Sequence, residues 1–312
     1  MSVGAPVAEG VRPGRNWVVP ALAFLWFYNG VNFLAFKVGV DALPAVFLAA
    51  ARFTAAGVVL LPVATWRVLV AGRPDARALL TAGLLGVVML VAGQALAIWG
   101  VRYLPAGTAS VFGSTPPLYL ALFAWLVFQR PLGRRQLAGV CVGFVGTALL
   151  GWSSAAGGGF SPLGAAAILA ATASWAAGSL AAGRVSLPRD PVVNLTVQLL
   201  TAGTLLCLLS WLTGEAASVR LGDVPARAWA ALAFLTIVST LLGYSVFTWV
   251  NQTVSSTLAN SYSYAAPVIT LVLASLFLGE RLAWSEAGAA AVALGGVALM
   301  VSGKDPNRQA AV

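Results

Sequence analysis

The side chains in this chain that could do chemistry are almost all uncharged, and they sit inside long apolar runs. Trp26, Asn29, Asn32 and Phe33 recur at three- and four-residue steps, which on a helix gathers two amides and two aromatic rings on one face, with Tyr28 beside it. A second stripe takes Ser239 and Thr240, Gly243 and Tyr244, Phe247 and Thr248, then Asn251. Ser110, Ser114 and Pro117 form a third, answered by Asn260, Tyr264 and Pro267, while Gln94, Ser174, Trp175 and Ser179 stand in further runs. Such groups can hydrogen-bond and stack on a small solute. A hydrolytic site would instead show Ser with His, paired Asp or a His/Glu metal cluster, and the chain has no His. No catalytic residue, metal or cofactor is expected, and the chain is not read as an enzyme. A Ser or Thr in such a run can equally bond its own backbone or a neighbouring helix; the amides and mid-run aromatics are the stronger candidates for ligand contact.

Arg52 is the charged residue that stands well inside a run, roughly eight residues past Pro44 and so about 12 Å deep along a helix. Its guanidinium could attract a carboxylate on a ligand, or it could lock helices together through backbone carbonyls or an acid at a helix end. The polar stripes do not by themselves bring the run that carries Arg52 to the site. No Asp or Glu lies well inside a run, so no buried carboxylate offers itself for proton exchange.

The elements that position these groups follow from composition. With 60% hydrophobic and 9% charged residues, the chain has more apolar surface than one soluble core can hide, and the excess requires lipid. The net charge of +9 does not indicate nucleic acid, because the cations are scattered over short gaps. Cys141 and Cys207 lie within apolar runs, lipid-facing or packed, with neither a disulfide framework nor a metal site indicated. Runs of about 20 apolar residues cross the hydrocarbon as helices. Ten such spans are predicted, at residues 17–36, 45–66, 78–99, 105–127, 136–153, 162–182, 192–213, 228–249, 256–278 and 284–302. The fold class is therefore an all-α polytopic membrane protein. Trp17, Trp66, Trp152, Trp211, Trp229 and Trp284 fall near span ends and read as interfacial anchors.

The chain is also a duplication. At one fixed offset Ala109 meets Ala259, Pro117 meets Pro267, Leu132 meets Leu282, Gly146 meets Gly296, Gly93 meets Gly243 and Trp99 meets Trp249; with a one-residue slip Trp26 meets Trp175. This divides the chain into a tail at 1–16, a five-helix repeat at 17–153, a second repeat at 162–302 and a tail at 303–312. Cytoplasmic loops retain Lys and Arg. With the N-terminus inside, the inner segments hold twelve cations and the outer loops five (Lys37, Arg102, Arg220, Arg227 and Arg281), which puts both termini in the cytoplasm. Five helices is an odd number, so the second repeat enters the membrane inverted, the arrangement in which two pseudo-symmetric halves enclose a midplane site and alternate its exposure. The site is expected between spans 1, 3, 4, 6, 8 and 9. Spans 5 and 10, with Gly139, Gly143, Gly146 and Gly151 against Gly288, Gly295 and Gly296, are expected as scaffold, and Pro116, Pro117 and Pro267 as bends and candidate hinges.

Residues distributed along almost the whole chain resemble the EamA-type members of the drug/metabolite transporter superfamily, and among them the bacterial aromatic amino acid exporter group. They are Ala51-Arg52-Phe53, Leu104 to Ser110 leading to Pro116-Pro117, the turn Gln129 to Leu132, Gly139-Val140, and the second-half echo Ala259-Asn260, Pro267, Gly279 to Leu282 and Gly295-Gly296. One departure is that such proteins usually carry a glutamate in the turn after the fourth span, where this chain has Gln129-Arg130. The resemblance implies a ten-helix inner-membrane exporter of small metabolites. Amino acids, aromatic or neutral, are the expected substrates, since an uncharged aromatic and amide-rich cavity suits a zwitterion. Nucleosides or purines, sugars and hydrophobic drugs are the alternatives, and a membrane enzyme or structural protein is the remote one. The expected partners are the small-molecule substrate and the lipid bilayer, with no nucleic acid, and a monomer suffices because the duplicated chain completes its own site. The excess of 16 Arg over 2 Lys, with abundant Ala and Gly, fits a high-GC bacterial genome.

Overall fold

A computed structural model describes residues 17–129, 133–156, 160–253, 262–280 and 283–302, and among them every regular element is helical. The membrane helices are α1 (Val18–Val40), α2 (Ala45–Ala71), α3 (Ala76–Val101), α4 (Ala106–Gly113, resuming as Pro116–Phe128), α5 (Arg134–Ala156), α6 (Pro162–Ala182), α7 (Pro191–Leu212), α8 (Ala226–Ala233 continuing to Thr253), α9 (Tyr262–Leu278) and α10 (Trp284–Ser302). Eight are long and apolar enough to span a bilayer, and two shorter apolar stretches, Ala265–Leu278 and Trp284–Met300, accompany them. The tails at 1–16 and 303–312, the expected start of the ninth span at 256–261, and Arg130 to Leu132, Arg281 and Leu282 lie outside the described residues.

Helix ends run past several expected boundaries. α1 continues through Lys37, whose ammonium pairs with Asp41 at 3.3 Å in its last turn, and α2 continues to Ala71. Charged residues are tolerated there because long side chains at a helix end reach the interface. The expectation that no acid lies inside a span fails at Glu286, which falls in the first turn of α10, where its carboxylate accepts the Ala283 N–H at 3.0 Å. Its counterpart in the first half is Gln136 of α5, accepting the Gly133 N–H at 3.0 Å.

Proline shapes α4 and α9 differently. Pro116 has no N–H for the carbonyl of Phe112, so the first segment ends at Gly113 and a new one starts with proline in its first turn. The freed carbonyls are taken locally: Thr115 Oγ1 donates to Phe112 O at 2.8 Å and Ser114 Oγ to Val111 O at 2.7 Å. α9 instead runs on through Pro267. One turn later the Thr270 hydroxyl lies 2.7 Å from Gly30 O and 3.0 Å from Ala266 O, sharing its proton between α1 and α9.

α3 and α8 each contain a nine-residue π-helical segment at matching places, Val87–Ala95 and Phe234–Leu242. A π-turn widens the helix and shifts the register of the side chains that follow, and long runs of it are rare in membrane and soluble helices alike.

Small residues decide where helices touch. α2 crosses α7 with Gly57 against Leu200 and Gly203 against Thr54, and α5 crosses α10 with Gly146 against Ala293 and Gly296 against the backbone of Gly143. In both crossings a helix meets its own repeat mate, as an internal two-fold requires. α1 packs on α4, α8 and α9, and α6 on α3 and α4. Polar ties close the ends. Glu280 accepts the Ala106 and Gly107 N–H groups at 2.7 and 3.1 Å, holding the α9–α10 turn on the start of α4, and Glu215 accepts the Phe47 N–H at 3.0 Å at the start of α2. At the opposite end Asp190 caps α7 through Val192 and Val193 and pairs with Arg67 at 3.0 Å, while the Thr81 hydroxyl bonds Ser186 O.

The outer surface is apolar. The six expected anchor tryptophans are all exposed, from 41% at Trp229 to 94% at Trp284, and Cys141 and Cys207 are free and exposed on helix surfaces. The exposed Leu276, Phe277, Leu69 and Val70 face outward as residues in lipid do.

Candidate functional site

The buried centre of the polar chemistry is Arg52, 2% exposed on α2. Its Nε donates to Thr240 Oγ1 at 2.9 Å and its Nη2 to Ser239 Oγ at 3.0 Å, both on the π segment of α8. The Thr240 hydroxyl donates in turn to Leu235 O at 2.8 Å, five residues back, the carbonyl a π-turn would address. The rings of Phe36 and Phe53 lie 5.5 and 5.2 Å from Arg52 Cζ. Among the described residues Nη1 has no hydrogen-bond partner and no carboxylate pairs with the guanidinium. The site therefore joins α1, α2 and α8. The sequence named Ser239 and Thr240 in a stripe but gave no sign that they meet Arg52, because nothing in a one-dimensional pattern pairs residues from opposite halves.

α1 supplies the wall. Tyr28, Asn32 and Phe36 are four residues apart and share a face. Tyr28 is buried against Gly243 of α8. Asn32 Oδ1 is buried with no partner among the described residues. Asn29 turns back on its own helix, donating to Leu25 O at 2.9 Å, and Trp26 is half-buried.

α6 does for α3 what α1 does for α8. Trp175 lies against Gly93 as Tyr28 lies against Gly243, and Ser174 Oγ donates to Val88 O at 2.7 Å within the π segment of α3. Gly93 and Gly243 are the sequence mates, so the contact pairs Trp175 with Tyr28. The two contacts differ in register: Gly243 meets the ring tip and hydroxyl of Tyr28, Gly93 the Cβ and Cε3 of Trp175. Gln94 is half-buried beside Gly93, and Tyr244 is half-buried beside Gly243.

The serines behave differently. Ser110 and Ser114 are buried but donate to Gly107 O and Val111 O at 2.7 Å, and Ser179 donates to Trp175 O at 2.8 Å, each within its own helix. Their protons are spent on the backbone, which leaves only lone pairs for another partner. Not expected from sequence was the buried Thr115–Thr172 hydroxyl pair at 2.9 Å, which ties α4 to α6. Asn260 and the side chains of Thr248 and Tyr264 lie outside the described residues. On the flank, a 280 Å³ apolar cleft between α1 and α8 is lined by Trp17, Ala21, Phe24, Val246 and Trp249.

The comparisons agree with this architecture. The model of the EamA-like transporter family matches twice, at residues 17–152 and 162–302. The uncharacterized inner membrane transporter YedA of Escherichia coli (strain K12) is 30% identical over 91% of this chain and 90% of its own. A probable amino-acid metabolite efflux pump of Salmonella typhimurium is 28% identical over 91% and 94%, and a probable terminal-alkyne amino-acid exporter of Streptantibioticus cattleyicolor is 28% identical over 80% and 81%. A solved structure titled only as a crystal structure of a protein superposes with a TM-score of 0.61 at 22% identity, over 92% of this chain and 98% of its own, and carries the same fold. On the double match and the full-length relatives, this chain belongs to the EamA-like transporter family.

Proposed function

We propose that the chain is a secondary carrier that exports small metabolites, foremost amino acids, aromatic or neutral, across a bacterial inner membrane by alternating access. The observation that carries the reading is the paired arrangement of Tyr28 on Gly243 and Trp175 on Gly93: an aromatic, amide-bearing face of α1 and an aromatic, serine-bearing face of α6 lie against α8 and α3 at or next to their π-helical segments. π segments are frequent at functional sites, and two facing helices at pseudo-equivalent places suit a site shared between inverted halves. The names of the relatives that handle amino-acid metabolites support the substrate class.

In this reading the cavity is lined by α1, α3, α4, α6, α8 and α9, and residues 17–153 and 162–302 are the units that rock against each other. Trp26, Asn29, Gln94, Ser110, Ser114, Ser179, Tyr244, Thr248, Asn260 and Tyr264 line the cavity, with Tyr28, Asn32 and Trp175 at its centre. Both termini face the cytoplasm, following the distribution of Lys and Arg, and one chain completes the site.

Counterflow in proteoliposomes tests this, with labelled phenylalanine and leucine set against adenosine and glucose and no imposed proton gradient. Saturable movement of the amino acids, reduced by Asn29→Ala and Trp175→Ala and unaffected by the surface control Trp284→Ala, is the expected result. Movement of adenosine or glucose alone would keep the carrier and overturn the substrate class.

A further inference from the structure

We infer that Arg52 Nη1 and Asn32 Oδ1 are the two ends of a zwitterion-binding site, in which the α-carboxylate of the transported amino acid is the missing counterion of Arg52 and its α-ammonium bonds Asn32. The inference rests on the amino-acid exporter reading and names the recognition chemistry of that site.

Both atoms are buried and lack partners among the described residues. An unpartnered buried polar group is costly and in native proteins calls for an explanation; a buried guanidinium without a counter-anion is costlier still. Among the described residues the hydrogen-bond acceptors on Arg52 are neutral oxygens, the hydroxyls of Ser239 and Thr240 on its Nη2 and Nε edges, which leaves Nη1 as the open donor. Asn32 is an open acceptor. A donor and an acceptor of opposite polarity match the two ends of an amino acid.

Phe36 connects the two. On α1, Asn32 stands one turn from Phe36, on the same face. Phe36 has its ring 5.5 Å from Arg52 Cζ. Asn32 therefore stands one turn from a residue that borders Arg52. Phe36 and Tyr28 make that face of α1 aromatic on either side of Asn32.

The internal repeat supplies an independent argument. The spacing that relates Gly57 to Gly203 and Thr54 to Leu200 across the α2–α7 crossing relates Arg52 to Gln198. Gln198 is buried at that place with its Nε2 donating to Asn194 Oδ1 at 3.1 Å. The scaffold is thus satisfied there by a neutral amide, and the charge of Arg52 is an addition on one side only.

The test is a competition series against labelled phenylalanine in proteoliposomes containing the intact chain. Unlabelled phenylalanine is compared with phenylalaninamide, which lacks the carboxylate, and N-acetylphenylalanine, which lacks the ammonium. On the unaltered protein each analogue is expected to compete about tenfold or more weakly than phenylalanine. Arg52→Gln, which copies the mate position, removes the discrimination against the amide and retains that against the N-acetyl compound; Asn32→Leu does the converse. Equal competition by acid and amide on the unaltered protein overturns the proposal without any variant having to fold. So does a rate that falls when chloride is replaced by isethionate while acid and amide compete equally, since the anion at Arg52 is then inorganic. If phenylalanine and leucine do not move but adenosine or glucose does, the exporter reading fails first; if they move and Arg52→Gln discriminates as before, only this inference fails.

Discussion

The α2–α8 contact and its mate, α7 against α3, are built on the same frame and carry opposite chemistry. In the first, the permanent charge of Arg52 is held by two hydroxyls and has one edge without a partner among the described residues. In the second, Gln198 bonds Asn194 on its own helix and its backbone lies against Gly86 of α3. Duplicated halves inherit the same packing, because glycines that let backbones approach cannot be exchanged without moving both helices. Side chains that do not set the crossing are free to diverge. The difference teaches that the scaffold does not require a cation here, so the cost of burying one has to be met by something other than packing.

Three predictions bear on this comparison. The largest effect is expected where the halves are still alike. Gly296→Val drives a side chain into the backbone of Gly143, and Gly146→Val does the same against Ala293. Each should cost more than the about 1–3 kcal/mol of ordinary overpacking, since backbone cannot yield as a side chain can. Loss of monodisperse protein on size exclusion checks it, with Gly288→Ala, which meets nothing within 4 Å, as the silent control. If either valine variant folds normally, the shared crossing is not what joins the halves.

A smaller effect separates the two polar contacts. Ser239→Ala combined with Thr240→Val strips both hydroxyl acceptors from Arg52 and should destabilise by about 3 kcal/mol, the scale for leaving a buried charge uncompensated. Gln198→Leu, at the mate position, should cost no more than about 1 kcal/mol, the net scale of a neutral hydrogen bond. Denaturant melts of the two variants side by side read the difference, and equal losses would mean that Arg52 is no more dependent on its partners than Gln198.

The smallest effect is at the paired turns after α4 and α9. Gln129 closes α4 at φ 50° and Gly279 follows α9 at φ 67°, where the Glu280 N–H returns to Ala274 O at 3.2 Å. A left-handed conformation costs a side-chain-bearing residue about 1–2 kcal/mol more than glycine. Gln129→Gly should therefore stabilise by about 1 kcal/mol and Gly279→Ala destabilise by about as much, seen as opposite shifts in melting temperature. The Gln129 amide recovers part of its cost by donating to Leu126 O at 3.1 Å, so its gain should be the lesser of the two.

Much of the helical layout was legible because it follows from local rules. Apolar run length located the membrane helices, Pro162 and Pro191 stand in the first turns of α6 and α7 as proline should, and interfacial tryptophans were identifiable from their distance to the run ends. Less of the site was legible. The stripes on α1 and α8 contained Asn32, Ser239 and Thr240, yet α2 could not be assigned to the site, since its only signal was one arginine among alanines. Glu280 was visible as a motif residue, but that its carboxylate crosses to the start of α4 depends on how two turns from different halves meet. Likewise the serines of α4 read as ligand candidates by position, whereas their hydroxyls serve the backbone, a choice made by rotamer and burial.

What the sequence by itself determined was that this chain lies in lipid, that it is a duplication, and that its few polar groups fall on particular helix faces, because hydropathy, repeat spacing and helical periodicity are all properties of order along the chain. The tertiary structure decided which faces meet. It brought Arg52 of the first half onto the π segment of the second, set Tyr28 against Gly243 and Trp175 against Gly93, and left Nη1 and Asn32 Oδ1 without partners among the described residues. Helix crossings are fixed by the fit of side chains and backbones at a contact, and that fit depends on pairs of residues far apart in sequence, which no local pattern encodes.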